Sequence, residues 1–189
     1  GFYDVKIAAS NQLDERVIAS LKTQDAPIDI YGVGTRLVTG QDSPALDGVY
    51  KLSSIGGKAT LKISENIEKI TLPGKKKIYR YLNDDGTFYG DAVLFDDETN
   101  PHRIHHPTFP AKKANLNSRT YEEILQPVVL NGEITGSLPE VNEIAVFHKE
   151  RLGQLHREFK RFDNPHIYKV GIRTKLLEKR DDLLKQFKP

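Results

Sequence analysis

Residues 28–39 read IDIYGVGTRLVT. The apolar run Ile28–Tyr31, with one acid inside it, predicts a short buried strand, and it runs straight into Gly32-Val33-Gly34-Thr35. Glycines at a strand end let the backbone turn sharply and come close to a ligand. Successive backbone N–H groups in such a turn can form an anion-binding nest, and Thr35 adds a hydroxyl donor. In α/β barrels the loops after the last strands are the usual phosphate site. The segment therefore points to a phosphate-binding strand end. A tight βα turn without a ligand is the alternative.

The residues before it repeat the pattern. Val5–Ala9 predicts a buried strand, and Leu13–Lys22 carries Leu13, Val17, Ile18 and Leu21 at helical spacing. Asn11 is the expected N-cap, with Asp14 and Glu15 in the first turn. Strand, helix and strand within about thirty residues make a βαβ unit with parallel strands. Ser10 and Asn11 then lie at the mouth of a helix, where free N–H groups attract anions; an ordinary helix cap is the alternative. Parallel neighbours present their C-terminal ends on one rim, so both loops can face one phosphate. Asp14 is read either as a ribose or network contact or as a structural first-turn acid. Asp29, placed inside a strand, needs a partner if buried; Arg36 and Lys6 are the candidates. Arg36 and Arg80 are candidate phosphate or carboxylate contacts, or surface residues.

Val49–Leu52 predicts one more strand, which gives residues 1–52 an α/β character. Two βα units cannot close a barrel of eight. The region is therefore read as the final βα units of an irregular α/β barrel begun upstream, and the chain as a fragment of a longer protein. The absence of methionine, position 1 included, agrees with that reading; a complete, tag-processed domain is the alternative.

Residues 53–189 have a different texture. Gly56-Gly57, Pro73-Gly74 and Asp84-Asp85-Gly86 are turn signals between expected strands at Thr60–Ser64, Lys76–Leu82 and Asp91–Phe95. The last two should pair as an antiparallel hairpin. Glu122–Leu130 is ambiguous because Pro127 interrupts any helix. A long helix is expected from Pro139 to the stop at Asn164-Pro165, with an apolar stripe that includes His148 as a packed histidine. A final helix, about Thr174–Phe187, carries five apolar residues on one side. The region thus reads as short antiparallel strands followed by two helices.

Composition sets bounds on function. Of 189 residues, 38% are hydrophobic and 29% charged, as in soluble globular proteins. No apolar run approaches the roughly 18 residues that a membrane span needs, and Gly1–Asp4 has neither a basic nor an apolar leader pattern. With no cysteine there is neither a disulfide frame nor a thiolate metal site; the expected setting is cytoplasmic, without a membrane. A net charge of +2 gives no argument for nucleic acid. Lys75-Lys76-Lys77 reads either as an anion-reading patch or as a solvated loop. His102, His105 and His106 lack acidic or cysteine companions at metal-ligand spacing, so no metal site is expected there.

Three blocks carry a family resemblance. KIAASNQLDERVIASLKTQDAPIDIYGVGTRLVTGQDSPALDGVYKL, KISENIEKITLPGKKKIYR at Lys62–Arg80 and REFKRFDNPHIYKVGI at Arg157–Ile172 occur in order. Together they make the chain resemble the C-terminal portion of bacterial nicotinate phosphoribosyltransferases over nearly its whole length. The resemblance implies an irregular barrel of the type II phosphoribosyltransferase kind, flanked by a second domain built from both chain ends. It implies formation of nicotinate mononucleotide and pyrophosphate from nicotinate and 5-phosphoribosyl 1-pyrophosphate, with coupled ATP hydrolysis, in NAD biosynthesis. Mg²⁺ accompanies the pyrophosphate, and the enzyme is expected as a homodimer. Carried over by position, Ser10, Asn11, Gly32, Val33, Gly34 and Thr35 would hold the 5-phosphate, and Asp14 would sit at the same loop–helix junction. The family's phosphorylated histidine, its Ser-Gly-Asp stretch and its nicotinate-cradling residues lie upstream. The catalytic residues are therefore expected outside this chain, and residues 1–189 alone are expected to be inactive. The lack of cysteine departs from members with a C-terminal cysteine cluster. The rivals are a relative acting on nicotinamide or quinolinate, and a non-catalytic phosphate-binding domain.

Overall fold

The chain opens with two three-residue parallel strands. A computed structural model describes residues 1–46 and 48–187; of the sequence regions above, Asp47, Lys188 and Pro189 lie outside the described residues. Contacts divide the chain into the units Gly1–Tyr50 and Lys51–Pro189.

In the first unit β1 (Ala8–Ser10) leads through α1 (Glu15–Thr23) to β2 (Ile30–Gly32). Ala8 lies opposite Ile30 and Ser10 opposite Gly32, in parallel register, so the βαβ expectation holds. A five-residue helix, α2 (Thr35–Thr39), follows at once. Gly40 ends it in the left-handed conformation, φ 57°, with its N–H turned back to the helix carbonyls. Several local expectations change. Asp14, not Asn11, caps α1: its carboxylate accepts the Val17 N–H at 2.8 Å. Asn11 and Gln12 instead take positive φ, 77° and 53°, a region asparagine tolerates better than most residues. Asp29 precedes β2 rather than lying in it, and it is exposed. No strand forms at Val49–Leu52, where both valine and tyrosine face solvent and have no pairing partner. The strands expected as buried are open as well, with Ile30 49% exposed; among the described residues of this unit Leu13 is the buried apolar side chain.

The second unit begins with a hairpin of β3 (Ser54–Ile55) and β4 (Lys58–Ala59), turned by Gly56 and Gly57 at positive φ. No strand forms at Thr60–Ser64, the stretch expected to be one; the hairpin ends just before it. A six-stranded sheet follows. β5 (Lys76–Leu82) and β6 (Phe88–Phe95) pair antiparallel around Asp84-Asp85-Gly86, with Gly86 at φ 78° and the Asp85 carboxylate accepting both the N–H and hydroxyl of Thr87. β7 (Arg103–His105), β8 (Lys113–Asn115) and β9 (Tyr121–Glu123) are three residues each. A separate ribbon, β10 (Val129–Leu130) with β11 (Glu133–Ile134), leads to α3 (Val141–Gln154). Then comes β12 (Val170–Ile172), and α4 (Thr174–Phe187) closes the chain.

The sheet order is β8-β7-β12-β6-β5-β9. This corrects the strands-then-helices expectation, because the last strand enters the middle of the sheet, parallel to β6 and antiparallel to β7. The core is Tyr79, Tyr81, Ala92, Leu94, Ile104 and Leu116, with Ile172, Leu176 and Leu177 also buried. Glycine is required in β12: a Cβ on Gly171 would stand 2.6 Å from Ile104 Cδ1 and 2.7 Å from its Cβ. Gly171→Ala is expected to destabilise this unit by about 1–3 kcal/mol, the usual cost of overpacking, seen as a lower urea midpoint. An unchanged midpoint would show that β12 is not packed this tightly.

α3 is shorter than its pattern suggests. It starts at a reciprocal Glu140–Glu143 capping box and ends where Leu155 turns extended; a 3-10 turn at Arg157–Lys160 follows. None of its side chains is buried, so His148 is an exposed residue rather than a packed one. Among the described residues no helix is long and apolar enough to cross a membrane.

Candidate phosphate site

The two βα loops of the first unit meet. The loop after β1 contributes Asn11, Gln12 and Leu13, and the turn after β2 contributes Gly32, Gly34, Thr35 and Arg36, to the walls of one cavity of about 150 Å³. Parallel pairing puts both strand ends on one rim. The close approach is visible at Gly32, where an added Cβ would lie 3.2 Å from Ser10 Cβ. At Gly34 an added Cβ would meet nothing within 4 Å, so that position borders open space.

The remaining candidates separate from this cavity. Ser10 packs behind Gly32 and does not line it. Val33 and Asp14 line a neighbouring cavity of about 480 Å³ with Ile18, Leu37 and Gly40; Arg36 borders both. Asp29 is at the opposite ends of the strands, where its carboxylate accepts the Ile7 N–H at 2.8 Å. It pairs with neither Arg36 nor Lys6, because it stands one residue before β2 begins. Sequence reasoning did not pick out Gln12 or Leu13 as lining residues. Nothing in their side chains signals it; they are brought in by the left-handed backbone at Asn11 and Gln12.

Asp14 binds twice. One carboxylate oxygen takes the Val17 N–H and the other takes Arg36 Nη1. The Val17 N–H, followed by the Arg36 charge, holds its carboxyl below the usual carboxylate range. Arg36 Nε is out of solvent and has no hydrogen-bond partner. The cavity is thus lined by two glycines of the turn, Thr35 and the Asp14-bound Arg36, residue types whose amide, hydroxyl and guanidinium donors suit an oxyanion.

Outside this site the candidate cations are committed elsewhere. Arg80 holds the Asp91 carboxylate through two parallel hydrogen bonds, 2.9 and 2.8 Å. Lys75 pairs with Asp96, Lys76 Nζ caps the carbonyls of Leu72 and Gly74, and Lys77 lies over the Tyr79 ring. This is neither a free cationic patch nor a loop, since β5 begins at Lys76. His105 bridges Pro110 O and Thr174 Oγ1, and His106 accepts the N–H groups of Thr108 and Phe109.

The model of the nicotinate phosphoribosyltransferase C-terminal domain matches residues 75–180, more than half of the chain. The chain belongs to this family. Among its relatives, the nicotinate phosphoribosyltransferase of Bacillus subtilis (strain 168) is 40% identical over 184 residues, covering 91% of this chain and 37% of that protein. The Caenorhabditis elegans enzyme of the same name is 35% identical over 183 residues, covering 94% and 33%. The crystal structure of human nicotinic acid phosphoribosyltransferase superposes with a TM-score of 0.70 at 25% identity, over 95% of this chain and 33% of that one. The chain therefore spans about a third of the length of the nicotinate phosphoribosyltransferases it matches.

Proposed function

We propose that this chain is the C-terminal part of a nicotinate phosphoribosyltransferase, and that its two βα loops hold the 5-phosphate of 5-phosphoribosyl 1-pyrophosphate. The convergence of the loops on one cavity of about 150 Å³ carries the reading. In it, the pyridine nitrogen of nicotinate attacks the anomeric carbon as the bond to pyrophosphate breaks. The contribution of these residues is positioning. Fixing the phosphate fixes the anomeric carbon between base and leaving group, which turns an encounter into an aligned displacement. Amides and the Thr35 hydroxyl of the turn suit this task, because the phosphate keeps its charge throughout.

The open strands of the first unit support the barrel part of the proposal. Ile30 on β2, Ile7 just before β1 and Leu37 on α2 are each about half exposed or more, as expected of two βα units whose remaining barrel strands come from elsewhere in the protein. ATP coupling, a cytoplasmic homodimer and a role in NAD biosynthesis come with the family resemblance. For Mg²⁺, no group of three or more His, Asp or Glu among the described residues gathers as a metal site. We assign the sites of both the ion and ATP mostly to residues outside this chain.

The test is an assay of the complete gene product with nicotinate, 5-phosphoribosyl 1-pyrophosphate, Mg²⁺ and ATP, beside residues 1–189 alone. Nicotinate mononucleotide should form with the first and not with the second. Turnover by residues 1–189 would overturn the assignment of catalytic groups to the rest of the protein. Turnover of nicotinamide or quinolinate instead would move the base assignment. A folded complete product inert with all three bases would favour a non-catalytic phosphate-binding domain.

A further inference from the structure

The loops that face the cavity are joined by an ion pair that spans 22 residues of sequence. Asp14 stands at the end of the first loop and Arg36 in the first turn of α2. Asp14 does not line the small cavity, whereas Arg36 does. Asp14 is itself anchored, since its other oxygen caps α1 at Val17. The Arg36 guanidinium has its Nε out of solvent without an acceptor, so Asp14 is the partner that fixes its direction.

We propose that Asp14 and Arg36 are a positioning pair, a clamp that holds the loop after β1 and the turn after β2 at the separation the 5-phosphate requires. This rests on the phosphoribosyl reading above. The pair tethers one wall of the cavity to the cap of α1 and the other wall to the start of α2. A shift of about an ångström between the walls would misplace the phosphate, and misplacement on that scale is costly in rate. The clamp is also nearly neutral as a unit. It adds little to the anion's attraction, and its contribution is geometric. The rival is that Arg36 grips the phosphate directly while Asp14 merely competes for it.

Asp14→Asn distinguishes the two. Asparagine caps a helix as well as aspartate does, so α1 keeps its cap while the charge pair is lost. Arg36→Lys keeps the charge and loses the planar fork. In the complete gene product, each variant is expected to weaken ribose 5-phosphate binding by calorimetry about tenfold. That is the factor a charge-assisted hydrogen bond carries. KM for 5-phosphoribosyl 1-pyrophosphate should rise about as much, and kcat should fall as well, because a misplaced phosphate holds the anomeric carbon out of line. The double variant should be no weaker than either single one, because both break the same link. Unchanged or tighter binding by Asp14→Asn would overturn the clamp in favour of a direct Arg36 grip. Additive losses, or losses that follow a lowered unfolding midpoint, would overturn it too. A complete wild-type product that binds no ribose 5-phosphate would take down the phosphate reading itself, and the clamp with it.

Discussion

Gly34→Val in the complete gene product should abolish most nicotinate mononucleotide formation while leaving the fold in place. A Cβ at Gly34 meets no atom within 4 Å, so a valine has room there, and it adds bulk at a residue that lines the cavity. The phosphate would then be displaced from the amides of the turn and from Thr35. Each hydrogen bond to a charged group is worth about 1.5–3 kcal/mol, so losing two predicts at least about a hundredfold fall in kcat/KM for 5-phosphoribosyl 1-pyrophosphate. Steady-state kinetics with the unfolding midpoint as control would measure it. Gly32→Ala is the useful contrast. Its Cβ would press on Ser10 at 3.2 Å, so it should lower stability as well as activity. A folded Gly34→Val protein with ordinary kinetics would mean that the cavity does not hold the phosphate.

That prediction depends on features the sequence makes visible. A strand ending in Gly-Val-Gly-Thr and a preceding strand ending in Ser-Asn can be read from local pattern, and the parallel pairing follows from the helix between them. The Asp14–Arg36 pair cannot be read in the same way. Its partners are far apart in sequence, and only the register of β1 on β2 brings them together. The cap of α1 was misplaced for a related reason. Asn11 and Asp14 are both good capping residues, and the left-handed turn at Asn11 and Gln12 decides between them.

The second unit shows the same division at larger scale. β5, β6 and α4 carry long, regular patterns and were legible. β12 is three residues, Val-Gly-Ile, with no period to detect, and it counts as a strand because β6 and β7 flank it. α3 shows the converse. Its apolar spacing continues past Gln154 on paper, but the backbone turns extended at Leu155, and Phe159 beyond it packs edge-on against Tyr168 rather than along a helix. A pattern signals burial only where something packs against it.

What fixes β12 in the sheet is a polar cluster, and it gives the largest expected stability change. Asp91 is 7% exposed and accepts from Arg80 twice and from the Tyr168 hydroxyl at 2.9 Å. Its own N–H donates to Lys169 O at 2.8 Å. Asp91 on β6 thereby holds the two residues that lead into β12. Arg80 lies over the Phe88 ring, and burial pushes the Tyr168 phenol well above its ordinary range, with the Asp91 charge adding to the effect. The phenol therefore remains a donor across the working pH range. Asp91→Ala would leave a partly buried guanidinium and a hydroxyl without an acceptor. Breaking a buried pair from one side costs about 3–5 kcal/mol, and far-UV circular dichroism in urea should read a loss of that size. Tyr168→Phe removes one charge-assisted hydrogen bond and should cost about 1.5 kcal/mol. Replacing both partners, Arg80→Met with Asp91→Leu, should recover much of the loss, since no charge is then stranded. A cost below about 1 kcal/mol for Asp91→Ala, the level of an exposed ion pair, would mean that the close fit of Gly171 on Ile104 and the burial of Ile172, rather than the Asp91 cluster, set the register of β12.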